Sequence, residues 1–479
     1  MTEQEHTIEK RKRLKWIVFP LLFILFLVLI VKQYYFSGIE TEKDSYRRIR
    51  ERGCLVALTD VNSLSYYIYR GEPMGYQLEL LRSFADFIGV PLKIIASNDI
   101  AKLYYYLDLN VADVMAVNLP VTYDGKKLLR FSHPFDNTKM VLVQRKKEIV
   151  KGKRGVLFIS SFKDFAHDTI YIQKNPFVFP LLKSFLRRAG RNVHLVEVND
   201  RSQEELVRKV SERKIGFTIC SENLAEKLTQ VYKNIDAGFV VSRDFDYSWG
   251  TGLSSDTLQN KINNWIDEIN NNKDLNKIHS AYYENQRVVN AFSSDYFSLN
   301  KGKISPYDEI LKELSKRIHW DWRLLASLVY EESNFYTGQV STHNATGLMQ
   351  LMPETAGKFG LDSTSSPRQQ LVAGVKYLER LNKQLPAEIS DPKERINFLL
   401  ASFNVGPGRV LLARNKAFVN GKNPNKWNNN VDYFLTRKSK KEPFVKGDTG
   451  IDLSPYGTAG GYVARVMERY YHYKNIIPE

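Results

Sequence analysis

Residues 50–285 alternate short apolar runs with segments whose apolar positions recur at helical spacing. In YQLELLRSFADFIG, for example, Leu78, Leu81 and Phe84 share one face of a predicted helix. Strand–helix–strand order predicts a mostly parallel sheet with helices on both faces. Three runs read as the strands of this first set: CLVALTD at 54–60, VPLKIIA at 90–96 and VADVMAVN at 111–118.

A second, similar set of elements follows the first. Its predicted strands are MVLVQRK at 140–146, GVLFIS at 155–160, VHLVEV at 193–198 and IGFTIC at 215–220. Two such sets joined by a crossover predict a hinged, two-lobe α/β binding domain over residues 38–285. The alternative is one large doubly wound domain.

The last 175 residues, 305–479, predict a small all-α domain. They lack alternating apolar residues and are rich in helical repeats. The helical segments are YDEILKELSKRI, WRLLASLVYEES, RQQLVAGVKYLERLNKQL, ERINFLLASFN and GYVARVMERYYHY. Residues 286–304 are polar and aperiodic, which indicates a linker between the two domains.

An apolar run from Trp16 to Val31 follows the basic cluster KRKRLK at 10–15. With snorkelling lysines at its ends, the run is long enough to predict a transmembrane helix within residues 1–37. By the positive-inside rule, the basic cluster places the tail in the cytoplasm and the body outside the membrane. A cleaved signal peptide and a buried core helix are the alternatives, but the bulky QYYF after the run offers no cleavage site.

Composition and charge limit the class of protein and the kind of partner. Hydrophobic residues make up 43% and charged residues 25%, which is typical of globular domains. The 69 basic against 53 acidic residues give a net charge of +16, which indicates a polyanionic partner. For a body outside the membrane, a cell-wall polymer fits better than nucleic acid. Two cysteines exclude a disulfide scaffold, and we expect no bridge between Cys54 and Cys220.

One carboxylate in the helical domain lies on an apolar helix face. Leu325, Leu328 and Val329 stand at i, i+3 and i+4, and Glu332 stands at i+7. Burial disfavours a carboxylate anion, so the pKa of Glu332 should rise and the group could act as a general acid. Glu331 points about 100° away, toward a more polar sector. Taken alone, a Glu at the edge of an apolar stripe is more often structural.

The sequence around Glu332 resembles the lysozyme-like lytic transglycosylases. ESNF, STHNATGLMQLMPETA, ASFNVGPGRV and a late YVARV follow the family's four ordered segments. The resemblance implies that Glu332 is the catalytic acid. It also implies substrate contacts from Ser341, Gln350, Phe403, Asn404 and Tyr462, and structural support from Ser333, Gly347, Met349 and Gly406.

Two positions depart from the family pattern. Asn344 replaces a glycine, and asparagine also tolerates left-handed backbone. Phe403 replaces a tyrosine, which keeps an aromatic ring but loses a phenol. The polar, basic stretch 411–461 reads as a surface insertion that either contacts wall polymer or is simply solvated.

The resemblance implies a reaction with one acid. Glu332 protonates the leaving oxygen of the MurNAc–GlcNAc β-1,4 bond and then accepts the proton of the C6 hydroxyl, which yields a 1,6-anhydromuramyl end. Asp308 and Asp362 read as a helix-start acid and a loop acid. We expect no cofactor and no metal, since neither HExxH nor paired His/Cys ligands occur. The alternatives are a hydrolase of lysozyme type and a non-catalytic wall-binding or sensory receptor.

The first lobe, from GEPMGYQLELL to LLRFSHPF, resembles the family 3 extracellular solute-binding proteins. In that family an arginine grips the ligand carboxylate and an aspartate meets its amino group. The matching positions here are Gly125 and Gly216, so the clamp for a free amino acid lacks both charges. The resemblance therefore implies the same fold with a different ligand, such as a cell-wall peptide, or a domain that only gates its neighbour.

Overall fold

The computed structural model describes residues 45–147, 158–165, 168–188, 193–199, 202–284, 289, 291–292, 294–436 and 459–479. The predicted anchor, residues 1–37, and residues 437–458 of the predicted insertion lie outside these ranges. Among the described helices, none has both the length and the apolar character needed to cross a bilayer.

The first lobe is built on a mixed sheet in the order β4-β1-β5-β13-β6, with β7 also paired to β13. β1, β4 and β5 run parallel, as predicted, whereas β13 returns from the end of the domain and runs antiparallel to β5. The strands are β1 (Leu55–Thr59), β4 (Leu92–Ala96), β5 (Val114–Pro120), β6 (Arg130–Phe131), β7 (Asp136–Thr138) and β13 (Phe245–Thr251). The helices of this lobe are α1 (Ser45–Arg52), α2 (Tyr76–Ile88), α3 (Ile100–Asp108), α7 (Asp256–Asn271) and α8 (Asp274–Tyr283).

The second lobe has a five-stranded sheet in the order β10-β9-β11-β8-β12. Its strands are β8 (Met140–Arg145), β9 (Thr169–Gln173), β10 (His194–Val198), β11 (Phe217–Ser221) and β12 (Ile235–Val240), and its helices are α4 (Phe179–Arg188), α5 (Gln203–Ser211) and α6 (Glu222–Val231). The chain enters this lobe after β7 and leaves it before β13, which confirms the two-lobe architecture. The strand predicted at 155–160 is absent from its described part, residues 158–160. Cys54 and Cys220 are both free thiols, as expected.

The C-terminal domain is helical, as predicted. Its helices are α10 (Asp308–Ser315), α11 (Trp322–Ser333), α12 (Pro353–Lys358), α13 (Pro367–Gln384), α14 (Pro392–Val405), α15 (Pro407–Val419), α16 (Asp432–Thr436) and α17 (Ala459–Ile476). α11 packs against α10 and α17, and α14 packs against α15 and α17. This arrangement places the ends of α11 and α14 beside the same C-terminal helix.

A small hairpin of the first lobe reaches into the helical domain. Its strands are β2 (Tyr67–Tyr69) and β3 (Glu72–Met74), which pair antiparallel. Ile68 is fully buried within the core of the helical domain rather than that of the lobe. Phe297, just before the short helix α9 (Ser298–Lys301), is buried in the core of the lobes and forms a bridge with Tyr69. The segment predicted as a linker therefore includes residues that pack firmly on the first lobe.

Candidate active site in the helical domain

Helix α11 carries the predicted acid in its last turn. The helix begins after Asp321, whose side chain accepts a hydrogen bond from the backbone N–H of Arg323. It ends at Asn334, which adopts the left-handed conformation at φ 49°. Such a tight helix end turns the following chain sharply. Glu332 therefore sits where a buried helix meets an irregular loop.

Glu332 is half-buried and accepts a short hydrogen bond from the hydroxyl of Tyr462 on α17. Burial raises the pKa of Glu332 to about 7, while the Tyr462 hydrogen bond acts in the opposite direction. The negative charge of Glu331 adds to the rise. Tyr462 itself is 4% exposed, and burial raises the pKa of its phenol far above its usual range, so it remains a donor. The site thus holds a carboxyl group poised between its two protonation states.

Glu331, the neighbour of the acid, forms an ion pair across the same helix interface. Its carboxylate accepts a short hydrogen bond from the guanidinium of Arg465, one turn after Tyr462 on α17. The Glu331 side chain is only 12% exposed. Two successive residues of α11 are therefore held by two residues of α17 that lie three apart. Sequence reasoning assigned Glu331 to a polar sector and missed this pair.

The loop after α11 folds onto the helix through backbone contacts. The hydroxyl of Ser333 is buried and donates to the carbonyl oxygens of Val329 (3.1 Å) and Leu348 (2.9 Å). This links the loop to the turn that carries Glu332. Gly347 has φ +77°, and an added Cβ would lie 2.5 Å from Oε1 of Gln370. Met349 is 1% exposed and packs so closely on Gly374 that a side chain there would overlap its sulfur.

Two predicted substrate residues hold the loop itself together. The Ser341 hydroxyl accepts hydrogen bonds from the backbone N–H groups of His343 (3.2 Å) and Ala345 (3.0 Å). The Gln350 amide donates to the carbonyl oxygens of Gln339 and Gly347, each at 2.9 Å. Both side chains therefore organise the loop in this structure.

The remaining predicted residues lie around the end of α14, and Asn344 lies in the loop after α11. Phe403 is 9% exposed, and its ring packs on Tyr377 with the ring centres 5.5 Å apart. Asn404 is exposed, and Gly406 ends the helix with φ +86°. Asn344, which stands where the family has a glycine, adopts the left-handed conformation at φ +62°, as expected.

Three large hydrophobic side chains near the loop are exposed, and the sequence pattern did not predict this. They are Tyr336 (63% exposed), Val340 (59%) and Met352 (48%). Met352 is the residue directly before the proline that begins α12, and its side chain makes no capping hydrogen bond.

The other acids of the domain have structural partners. Asp308 accepts hydrogen bonds from the backbone N–H groups of Ile304 and Ser305, which makes it a helix-start acid, as predicted. Asp362 accepts from Thr364 and Ser365 in an exposed loop. Within the described ranges, no three His, Cys, Asp or Glu side chains cluster in a way that could hold a metal ion.

The β2–β3 hairpin of the first lobe contacts the helix of the acid directly. The Tyr330 hydroxyl, two residues before Glu332, donates to the Glu72 carboxylate at 2.6 Å. Arg469 of α17 donates to the same carboxylate at 2.9 Å, and its guanidinium stacks 3.8 Å from the centre of the Tyr330 ring. The carbonyl oxygen of Gly71 accepts from Arg469 and Tyr473. The first lobe and the acid's helix thus share one partly buried polar cluster.

The cleft between the lobes contains a second unusual carboxyl group. Glu204, at the start of α5, crosses the cleft and accepts a hydrogen bond of 2.7 Å from the backbone N–H of Ser63. Burial raises the pKa of Glu204 to about 8 and that of Asp60, just after β1, to about 6. Oδ1 of Asp60 and Oγ of Ser63 are buried and have no hydrogen-bond partner among the described residues.

Two glycines stand at the positions matched to the family's amino-acid clamp, and Gly216 lies away from the contact between the lobes. Gly125 is buried, and a side chain there would meet Thr122 and Phe131. Gly216 precedes β11, whereas the lobes meet at the opposite strand ends, where Gln173 of β9 donates to the carbonyl oxygen of Asn98. Because β9 and β11 are parallel, Ser221 and not Gly216 ends at that side. Gly216, the position matched to the family's aspartate, therefore lies at the wrong end of β11.

Two family models match the chain. The transglycosylase SLT domain matches residues 309–428, and the bacterial extracellular solute-binding proteins, family 3, match residues 55–285. The chain thus combines a segment similar to the transglycosylase SLT domain with a segment similar to the family 3 solute-binding proteins. The first match contains α11 and Glu332, and the second contains both lobes and the hairpin.

Curated relatives align with this chain over most of its length. The membrane-bound lytic murein transglycosylase F of Desulfosudis oleivorans is 27% identical over 95% of this chain and 97% of its own length. That of Alcanivorax borkumensis is 28% identical over 88% of both chains. Among solved structures, the amino acid ABC transporter substrate-binding protein AbpA of Streptococcus pneumoniae, bound to L-arginine, covers 52% of this chain and all of its own chain, at 16% identity and a TM-score of 0.44.

Proposed function

We propose that this chain is a peptidoglycan lytic transglycosylase in which Glu332 acts alone as general acid and then as general base. The SLT domain and the lytic murein transglycosylases that the chain resembles support peptidoglycan as the substrate. The observation that carries the role of Glu332 is its half-buried carboxyl group, held by Tyr462, with a pKa raised to about 7. A group with a pKa near the working pH can both donate and accept a proton.

The proposed reaction conserves every atom of the substrate. The Glu332 carboxylic acid transfers its proton to the glycosidic oxygen between MurNAc and GlcNAc as the bond to C1 breaks. The N-acetyl group of the muramic sugar supports C1 from within the substrate. The C6 hydroxyl of the same sugar then attacks C1, and its proton passes to the Glu332 carboxylate. The product carries a 1,6-anhydro bridge, no water is consumed, and the acid is regenerated.

Intramolecular attack explains how one carboxyl group suffices. Glycosidases ordinarily use two carboxylates, of which the second is a nucleophile or activates water. Here the C6 hydroxyl is already bound beside C1, so its effective concentration is high. Asp308 and Asp362, the two acids nearest to the motifs, accept hydrogen bonds from backbone N–H groups and hydroxyls of their own segments. We therefore assign neither of them the role of a second catalytic carboxylate.

The other groove residues have proposed roles in holding the glycan. Asn404 is exposed at the end of α14 and is available to acetamido groups. Ser341 and Gln350 shape the loop, so we propose that they present its backbone to substrate. Phe403 is buried enough that its role is to support the groove wall through Tyr377.

We further propose that the two-lobe domain binds a small ligand such as a cell-wall peptide. The unpartnered oxygens of Asp60 and Ser63 in the cleft favour this role, because buried polar atoms ordinarily find partners. We also propose that the apolar run from Trp16 to Val31 anchors the chain in the inner membrane, with the body in the periplasm.

The test is digestion of purified peptidoglycan sacculi by the full chain in detergent. Glu332→Gln should abolish release of soluble muropeptides, whereas Glu354→Gln, which alters an exposed carboxylate paired with Lys358, should not. Mass spectrometry of the products should show anhydro ends. Reducing ends would indicate a hydrolase, and an inactive wild-type chain would favour a receptor. Full activity of Glu332→Gln would disprove the role of the acid.

A further inference from the structure

The ion pair between Glu331 and Arg465 lies directly beside the proposed acid. Glu331 precedes Glu332 on α11, and Arg465 follows Tyr462 by three residues on α17. The Glu331–Arg465 and Glu332–Tyr462 contacts therefore lie next to each other between the same two helices. The Arg465 side chain is 31% exposed, whereas that of Glu331 is 12% exposed. The pair is therefore shielded on the side of its carboxylate and reaches solvent on the side of its guanidinium.

Two neighbouring carboxyl groups in a partly desolvated site oppose each other's ionisation. If Glu331 carried an unbalanced negative charge, Glu332 would hold its proton more tightly and would be a weaker acid. If Glu331 were free to rotate, it could also compete for the Tyr462 hydroxyl or for the substrate proton. A guanidinium fixed on Glu331 prevents both effects, since it balances the charge and directs the carboxylate away from Glu332.

We propose that Glu331 and Arg465 are a positioning pair for the acid. Arg465 holds the Glu331 carboxylate against α17 and balances its charge, so that Glu332 alone exchanges the proton with the glycan. This inference rests on the proposed role of Glu332 and adds two residues that do not touch the substrate. The pair explains why a second carboxylate beside the acid does not act as a second catalytic group.

Other charged groups near α11 and α17 are engaged away from the acid. Glu72 pairs with Arg469, Asp321 with Arg323, and Glu468 with His472. On α10, Glu309 pairs with Lys312, and on α16, Asp432 accepts from the backbone N–H of Tyr433.

The loop 339–351 contains one titratable side chain, His343, which is exposed and contacts Thr342. Arg409 at the start of α15 is also exposed. Glu331 is thus the charged neighbour that bears most directly on Glu332.

The test compares the pH dependence of sacculus digestion, at limiting substrate, for single and double variants of the full chain. Arg465→Met should move the falling alkaline limb of the rate upward by about one pH unit, because Glu332 keeps its proton to higher pH. It should also lower the rate severalfold at acidic pH, where Glu332 is protonated in both proteins and is the weaker acid in the variant. Glu331→Gln should move the same limb downward. The double variant Glu331→Gln with Arg465→Met should return close to the wild-type profile, since both charges are removed together.

Controls separate positioning from stability. Arg465→Lys should keep most of the wild-type profile because it keeps the charge, and Arg368→Met, which breaks an exposed pair with Glu313 in the same domain, should leave the profile unchanged. If Arg465→Met does not fold, the downward shift in Glu331→Gln decides the matter. An unshifted limb in Glu331→Gln, or a double variant no better than Arg465→Met, would overturn the pairing. Full activity of Glu332→Gln would instead overturn the proposed function itself.

Discussion

The hydroxyl of Tyr330 donates a hydrogen bond of 2.6 Å to the carboxylate of Glu72, which joins the helix of the acid to a hairpin of the first lobe. The two residues are 258 positions apart in the chain. Arg469 completes the contact by binding the carboxylate and stacking on the Tyr330 ring. The first lobe therefore directly contacts the turn of α11 that carries Glu332.

Glu72→Ala should destabilise the chain by about 1–3 kcal/mol, because it leaves the Tyr330 hydroxyl and the Arg469 guanidinium without their shared acceptor. Thermal unfolding followed by circular dichroism measures this loss. Glu51→Ala, which removes an exposed partner of Arg47, is the control and should change stability by under about 1 kcal/mol. Equal effects of the two variants would contradict the importance of the hairpin contact.

Gly71→Ala should be more damaging than the same change at Gly53. Both glycines have positive φ, +83° and +74°, so each substitution carries a similar backbone cost of about 1 kcal/mol. At Gly71, however, an added Cβ would lie 2.5 Å from the Tyr330 ring and 2.7 Å from the Phe335 ring, whereas at Gly53 it would meet nothing within 4 Å. Denaturant unfolding of both variants should show the extra loss at Gly71 alone.

Tyr462→Phe should weaken catalysis by shifting the ionisation of Glu332. The Tyr462 hydrogen bond lowers the pKa of Glu332, so its removal should raise that pKa above about 7. A hydrogen bond to a charged group is worth about 1.5–3 kcal/mol, which corresponds to roughly one to two pH units. The alkaline limb of sacculus digestion should move upward, while the rate falls at acidic pH, where Glu332 is protonated in both proteins and is the weaker acid in the variant. Tyr471→Phe, at an exposed position of the same helix, should leave the profile as in wild type.

The stability of the two-lobe domain should fall as the pH rises. Burial raises the pKa of Glu204 from 4.5 to about 8, so the folded chain holds a proton that the unfolded chain releases between those values. The free energy of unfolding should therefore decrease between about pH 4.5 and pH 8, by up to about 1.4 kcal/mol per pH unit. Asp60 acts in the same direction between 3.8 and about 6.

Glu204→Gln isolates this effect. The variant should flatten the pH dependence of unfolding above pH 6 and should be more stable than wild type at pH 8, since it keeps an acceptor for the Ser63 N–H without a buried charge. Glu205→Gln, at the neighbouring and more exposed position, should retain the wild-type slope. A wild-type slope of opposite sign would show that the carboxyl group is charged in the folded domain.

The sequence pattern predicted those features that local spacing determines. Helix α11 begins and ends where the pattern placed it, from Trp322 to Ser333, because its apolar period and its caps all lie within the segment. The pattern also placed Glu332 on the apolar face, where the structure finds it half-buried. Asn344 adopts the left-handed conformation because its short polar side chain tolerates it, as expected.

Long-range contacts could not be predicted in the same way. Glu72 and Arg469 lie 397 positions apart, and neither belongs to a periodic pattern that points to the other. The partner of Glu331 depends on how α17 lies against α11, which the spacing of neither helix determines. Gly216 was matched to the wrong end of β11 because a strand's apolar run does not show which of its ends faces the cleft.

The hairpin has a consequence for how such chains can be recombined. Because Ile68, Gly71 and Glu72 contact the helical domain, a fusion made at the connecting segment would separate them from Arg469 and Tyr473. A lobe from one relative grafted onto the helices of another would bring a mismatched hairpin. Exchange of the two halves should therefore succeed only when the hairpin and the C-terminal helix are inherited together.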